Sequence, residues 1–172
     1  MNSGSNAKRI ALSGILGALA IVCLFLAAYL PAGRLGFYAV SSFLCAIIII
    51  EFGGGAGWAF YAATSLLSLM LVPDKLGIIP YIMFFGIYAI IKYYIEKLDK
   101  ILPEVLLKLA FFNVCLGLAY LLVRQVFSYA VDSRLPWAVL IIAAEAAFVV
   151  YDYIFSRFAA YYRLDLRKHL KI

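Results

Sequence analysis

The sequence predicts an all-α fold: a polytopic membrane protein whose six transmembrane helices form a single integral membrane domain. Of the 172 residues, 67% are hydrophobic and only 14% are charged, and the mean hydropathy is +1.02. Soluble domains are nearer half apolar and a quarter charged, so a chain of this size could not bury that much apolar surface in water. The apolar residues also form continuous runs, whereas the strands of an outer-membrane barrel alternate apolar and polar residues.

Each of the six predicted spans is an apolar run bounded by short segments that contain glycine, proline or charged residues. A helix needs about 20 residues to cross the hydrocarbon core of a bilayer. The spans are predicted at residues 9–30, 36–51, 56–72, 77–95, 105–130 and 135–158. The first is too long for the apolar region of a signal peptide and lacks a good cleavage site, so we expect it to be retained.

The distribution of Lys and Arg predicts that both termini lie in the cytoplasm. With the N-terminus inside, 11 of the 15 basic residues fall on the inner side, and only Arg34, Lys75 and Arg134 fall outside. Arg124 lies within a span. This is the positive-inside pattern of a multi-pass cell-membrane protein, so it explains the net charge of +6 without a nucleic-acid partner. The basic tail, residues 161–172, is expected to lie on the anionic inner leaflet.

The residues of familiar catalytic and metal centres are missing from the predicted bundle. The only histidine, His169, belongs to the tail. Cys23, Cys45 and Cys115 fall in different spans, without the spacing of a metal site. We therefore expect neither an enzyme nor a bound metal or cofactor.

The last three spans each carry polar and aromatic residues along one helical face, at steps of three and four residues. The stripes are Tyr81, Phe85, Tyr88 and Lys92 on the fourth span, Asn113, Gly117, Tyr120, Arg124 and Phe127 on the fifth, and Trp137, Ile141, Glu145, Phe148, Asp152 and Phe155 on the sixth. Polar groups inside a membrane are costly and mark functional sites. Residues 76–160 are therefore predicted to bind a solute.

Glu145 is the strongest candidate for a solute contact, because it lies near the middle of its span with no cation nearby in sequence. It could accept from an amine, amide or hydroxyl group, and Arg124 could bind a carboxylate. Aromatic walls suit a small, partly planar, vitamin-like molecule. The predicted ligand-binding residues are Arg34, Tyr38, Tyr81, Tyr88, Tyr120, Arg124, Trp137 and Glu145. In the structural alternative, Arg124 reaches the outer interface and Asp152 pairs with Lys92.

The first three spans, within residues 1–75, carry small residues instead of mid-span charges. Ser13 and Gly17, and likewise Gly14 and Ala18, are spaced four residues apart, as in closely packed membrane helices. Small residues of the third span are Ala59, Ala62, Ala63, Ser65 and Ser68. These spans are predicted to present smooth surfaces for close helix packing.

The stretch EFGGGAGWAF, residues 51–60, separates two apolar runs and is predicted to be a tight inner turn. Its glycines allow two helices to reverse direction within a few residues and to pack closely. Glu51 marks the inner end of the second span, and Trp58 lies where an interfacial anchor is expected.

In this layout the chain resembles the substrate-binding S component of an energy-coupling factor (ECF) vitamin transporter. The small-residue pairs of ALSGILGALA, residues 11–20, are similar to the Ala-xxx-Ala docking motif of that family. Phe52, Gly53 and Gly57 match its aromatic-Gly-Pro-x-x-Gly turn, with Gly54 in place of proline.

The resemblance implies a division of labour with other chains. A transmembrane coupling subunit would dock on helices one to three, through Ser13, Gly14, Gly17 and Ala18. Two ATPase subunits would supply the energy for transport. Helices four to six and the first outer loop would hold a vitamin captured from outside.

Three other classes stay open from the residues alone. A non-transport accessory or assembly protein would use the same small-residue faces without an outward cavity. An intramembrane enzyme would use Glu145 and Asp152 as acid and base, although they lie about 10 Å apart along one helix. A stand-alone secondary transporter would be expected to show an inverted repeat, and none is evident between residues 1–95 and 96–172.

Overall fold

The fold is taken from a computed structural model, and it is helical almost throughout. The structure describes residues 3–98, 100–127 and 137–166, with the side chains at 3–6, 31, 123–127, 137–138 and 166 outside the description. The helices are α1 (Ser3–Tyr29), α2 (Arg34–Phe52), α3 (Gly54–Leu71), α4 (Lys75–Pro80), α5 (Gly86–Glu96), α6 (Ile101–Phe127) and α7 (Trp137–Tyr161). A short 3₁₀ turn (Pro31–Gly33) precedes α2, and π-helical turns (Tyr81–Phe85 and Tyr162–Leu166) follow α4 and α7.

Five helical stretches within the described residues are long and apolar enough to cross a membrane. They are Ala7–Tyr29, Arg34–Phe52, Lys75–Glu96, Ile101–Leu122 and Val139–Asp165. The all-α fold class is confirmed, and the helices have the length and composition of a multi-pass membrane protein. The third predicted span corresponds to α3, which has 18 residues and is not among the five. Six spans with both termini inside therefore stay a prediction.

The chain forms two compact groups of residues. The first helical group consists of Met1–Tyr94 with Ala159–Ile172, and the second helical group is Ile95–Phe158. The predicted division between packing helices (residues 1–75) and ligand-binding helices (residues 76–160) is not tested by this grouping.

The predicted inner turn is a reversal at one residue between α2 and α3. Gly53 has a φ of 83° and donates its N–H to Ile49 O at 2.9 Å, which closes the last turn of α2. Side chains rarely tolerate this left-handed conformation, so glycine is required there. Gly57 lies one turn into α3, where any Cβ would collide with the side chain of Ile49. The two glycines thus perform the two roles predicted for them, reversal and close packing.

The core of the first helical group is built from α1, α2, the end of α3, α4 and the π turn. It contains Leu24, Ala27, Tyr38, Val72, Ile78 and Tyr81. Ser41 of α2 donates to Ala20 O of α1 at 3.2 Å, so a buried hydroxyl is satisfied across the helix contact. This hydroxyl is thereby paired inside the protein, as an apolar solvent requires.

The fourth predicted span is one continuous helical stretch with an irregular centre. Pro80 cannot donate a backbone hydrogen bond, and the π turn that follows leaves the Ile82 carbonyl to accept from the Tyr61 hydroxyl of α3 at 2.8 Å. The Tyr61 ring lies on Gly86, where a Cβ would come within 2.9 Å of it. The sequence analysis did not foresee this irregularity.

In the second helical group, α6 and α7 run antiparallel, and side chains of α6 contact side chains of α7. The rings of Phe112 and Phe148 stack, with centroids 4.6 Å apart and planes 8° from parallel. Lys108 lies nearer the start of α6 and pairs with Asp152, farther along α7, at 3.5 Å. This register determines which polar side chains of the two helices meet.

Candidate functional site

The predicted docking residues of α1 lie together on an open groove of the first helical group. Ser13, Gly14, Gly17 and Ala18 line it, and α3 contributes small residues to its other wall, namely Ala56, Ala59 and Ala63. The groove has a volume of about 650 Å³. Its small side chains leave the two helix backbones accessible to a third helix.

Two glycines of the groove differ in the space around them. A Cβ at Gly17 would meet the Phe60 ring at 3.7 Å, an ordinary contact, whereas a Cβ at Gly14 would have no neighbour within 4 Å. Glycine at position 14 is therefore not required by packing within the described chain. Arg9 lines the end of the groove nearest the start of α1, and its guanidinium lies 5.5 Å from the ring centroid of Phe52.

Arg34, a predicted ligand residue, belongs to a clasp at the opposite end of the first helical group. Its Nη2 lies 2.9 Å from Asp74 Oδ2, and its Nε donates to Ala27 O at the end of α1 at 3.1 Å. Asp74 also accepts from the N–H of Gly77 at 2.8 Å and thereby caps α4. We call Arg34, Tyr38, Asp74 and Gly77 the clasp.

Tyr38 completes the clasp from one turn farther along α2. Its hydroxyl donates to Gly77 O, and only 2% of the residue is exposed. The Lys75 ammonium donates to the carbonyls of Leu69 and Met70, which caps the end of α3. Together these contacts join the ends of all four helices at this edge of the group.

The two other predicted ligand residues of the first helical group, Tyr81 and Tyr88, are fully buried. The Tyr81 hydroxyl lies 2.9 Å from Thr64 Oγ1, and Thr64 in turn bonds Phe60 O at 2.9 Å. The Tyr88 ring packs on Phe84, with centroids 5.4 Å apart. Both tyrosines are therefore buried inside the protein, where their side chains are not accessible to a solute.

Glu145, the central predicted residue, is half-buried on α7 and is bonded to an amide. Asn113 Nδ2 on α6 donates to Glu145 Oε1 at 3.2 Å and to Leu109 O at 3.0 Å. Asn113 belonged to the predicted stripe of the fifth span but was not singled out as a ligand residue. The missed signal was the depth of the two residues, since each lies near the middle of its helix.

The remaining predicted residues of the second helical group are less fully described. Tyr120 is exposed on α6. The side chains of Arg124 and Trp137 lie outside the described residues. The backbone of Arg124 is eleven residues beyond Asn113, about 17 Å along α6. The contribution of Arg124 to a ligand site stays a prediction.

Lys108 was assigned only a topological role from the sequence, yet three carboxylates of the second helical group lie within 3.5 Å of its ammonium. It is 5% exposed, and its Nζ lies 2.6 Å from Glu104 Oε1 and 3.2 Å from Glu96 Oε1. Asp152 Oδ2 lies 3.5 Å away. Asp152 and Glu145 therefore have separate partners. No group of three potential metal ligands occurs among the described residues.

Comparison with known proteins identifies no relative: no family model, curated protein or solved structure matches the chain.

Proposed function

We propose that the protein is the substrate-binding membrane subunit of an ECF-type transporter, which captures a vitamin-like nutrient for ATP-driven uptake by partner subunits. The observation that carries the proposal is the groove. Four residues selected from the sequence for docking line one open surface together with the small side chains of α3. Such a surface suits the close approach of a helix from a coupling subunit.

The proposed topology has six spans, with α3 as the third and both termini in the cytoplasm. α2 ends at Phe52 and α3 begins at Gly54, so these helices reverse direction within one residue. A turn this tight is difficult to reconcile with α3 leaving the bilayer, because α3 packs directly on α2 through Gly57 and Ile49. The excess of basic residues at the proposed inner ends supports the orientation.

Polar groups within the proposed spans support a solute-binding role. Glu145 and Asn113 lie at mid-helix, where lipid cannot satisfy their hydrogen bonds. The clasp lies at the proposed outer end and joins the segment after the first loop to α4. Opening the clasp would loosen α4 and the core that contains Tyr38 and Tyr81, which is one route for solute entry.

A second candidate is a non-transport accessory protein, and the burial of the predicted ligand tyrosines favours it. Tyr38, Tyr81 and Tyr88 are at most 2% exposed. A bundle that serves only as a docking partner needs no cavity beside them. The two candidates differ in whether ATPase subunits and a solute accompany the protein.

Affinity purification of the tagged protein from its native membranes tests the proposal. Proteomics of the eluate is expected to identify a transmembrane coupling subunit and ATPase subunits, and native mass spectrometry is expected to detect a bound small molecule. Recovery of a membrane partner without any ATPase and without a solute would favour the accessory role.

A further inference from the structure

The polar pair of Asn113 and Glu145 carries an inference about ligand chemistry. The inference rests on the proposed function in one respect, that these mid-helix groups face a solute. It concerns which chemical group the pair can recognise, and it follows from the hydrogen bonds that the two side chains have already made.

The amide of Asn113 has no donor left to offer. Both of its contacts, Leu109 O and Glu145 Oε1, are acceptors, so both must receive an N–H from Nδ2. This assignment also settles which way the amide faces, because the reverse orientation would place oxygen against oxygen at both contacts. The remaining atom, Oδ1, can only accept.

Glu145 likewise offers only an acceptor. Its Oε1 receives the Asn113 amide, and Oε2 has no protein partner among the described residues. No Lys or Arg in the described part of the chain forms an ion pair with it. Asn113 is exposed and Glu145 is half-buried, so both remain accessible to a molecule outside the α6–α7 pair.

Two acceptors on side chains that are hydrogen-bonded to each other, one of them a carboxylate, define the complementary group. We propose that Asn113 and Glu145 form a subsite for a cationic ligand group with at least two N–H donors, such as an amidinium, a guanidinium or a primary ammonium. The ligand supplies the positive charge that neutralises the Glu145 carboxylate at this depth of the membrane. Its N–H groups donate to Asn113 Oδ1 and Glu145 Oε2 together.

This geometry also excludes ligand groups. A quaternary ammonium ion carries the charge but has no N–H, and it leaves both acceptors unpaired. A carboxylate is repelled by Glu145 and finds no donor on Asn113. A site that depends on hydrogen bonds discriminates strongly against analogues that lack the matching donors.

Three small aromatic probes of similar size test the subsite: benzamidine, benzyltrimethylammonium and benzoate. Their binding to the purified, lipid-reconstituted protein is measured by ligand-observed NMR. Benzamidine is expected to bind in the millimolar range typical of fragments, at least tenfold more tightly than benzyltrimethylammonium, with no binding of benzoate. Equal binding of the two cations, preference for benzoate or failure of benzamidine to bind would each overturn the proposal.

Substitutions at Asn113 and Glu145 test whether benzamidine binds to these two side chains. Glu145→Gln is expected to weaken benzamidine binding at least tenfold. The matched change Asp165→Asn, at an exposed carboxylate after α7, should leave binding unchanged. Asn113→Leu should remove the preference for benzamidine over benzyltrimethylammonium while Glu145 still attracts both. Retention of tight benzamidine binding in Glu145→Gln, with thermal unfolding like that of the parent protein, would place the site elsewhere.

The proposed function and the proposed ligand class can be rejected independently of each other. Recovery of ATPase subunits from native membranes depends on no probe, so it tests the proposed function alone. If ATPase subunits co-purify with the protein but the protein does not prefer benzamidine, the proposed transport role stands and the proposed ligand class is rejected.

Discussion

Arg34 and Asp74 form an ion pair of 2.9 Å across 40 positions of the sequence, and the same carboxylate caps α4 through the N–H of Gly77. Two substitutions separate these roles. Asp74→Asn removes the charge but keeps an oxygen that can cap, whereas Asp74→Ala removes both. Partly exposed ion pairs contribute about 1 kcal/mol or less, and loss of a cap costs about 1 kcal/mol.

We therefore expect Asp74→Ala to lower the thermal unfolding temperature more than Asp74→Asn does, as measured by differential scanning fluorimetry in detergent. Equal effects of the two substitutions would show that the cap contributes nothing beyond the ion pair.

The hydroxyl of Tyr61 should stabilise the π turn, because it is the side-chain donor bonded to the Ile82 carbonyl. Tyr61→Phe is expected to cost about 1–2 kcal/mol and to increase hydrogen exchange over residues 81–86. Tyr29→Phe is the matched control, since Tyr29 is 62% exposed at the end of α1. Similar exchange in the two variants would mean that the turn is held by packing alone.

The reversal at Gly53 should be intolerant of a side chain, because its φ is 83°. Gly53→Ala is expected to destabilise the protein by about 1–3 kcal/mol in reversible denaturant unfolding, because a φ of 83° with a ψ of 174° is a conformation adopted almost only by glycine. The control is Gly36→Ala within α2, where a Cβ meets nothing within 4 Å and alanine favours the helix. A Gly53→Ala protein as stable as Gly36→Ala would refute the assigned role of this glycine.

The buried ammonium of Lys108 should be important for the stability of α6 and α7, because Glu96, Glu104 and Asp152 surround it. Lys108→Met is expected to cost about 3–5 kcal/mol, the usual effect of removing one partner from a buried ion pair. Lys100→Met changes an exposed lysine just before α6 and should be near neutral.

A second substitution checks the physical reason for the Lys108 effect. Glu104→Gln, combined with Lys108→Met, should recover part of the lost stability by removing one of the carboxylates left without its cation. If the double variant is less stable than Lys108→Met alone, repulsion among these carboxylates is not the cause.

Much of the helical layout is predictable because long apolar runs have few alternatives in a membrane. The turn at Gly53 was identified for the same reason, since two apolar helices separated by so few residues must reverse sharply. Helix ends were less accurate: α2 begins at Arg34, while the predicted span begins at residue 36. Hydropathy locates the apolar core of a helix, whereas caps and turns determine its ends.

Side-chain partners were harder to predict because they depend on register between helices. The contact between Asp152 and Lys108 was not foreseen, and the pairing of Asp152 with Lys92 stays a prediction. Asn113 and Glu145 were both recognised as polar residues of their spans, and their similar depth was a usable signal, but depth alone does not show that their two helix faces meet. The clasp joins the start of α2 to the start of α4, and no helical period within one segment relates the ends of two separate helices.

The most direct test of the account compares recovery of partner subunits by two α1 variants. Gly14→Leu adds bulk in the groove at a position where a Cβ has no neighbour within 4 Å, whereas Leu19→Phe adds bulk on the opposite face of α1. Each tagged protein is purified from native membranes at equal expression, and co-purified ATPase subunits are quantified by mass spectrometry. We predict that the parent protein and Leu19→Phe recover the ATPases and that Gly14→Leu recovers at least tenfold less. Absence of ATPases from the parent preparation, or equal recovery by Gly14→Leu, would contradict the proposal that this groove connects a substrate-binding subunit to its energy source.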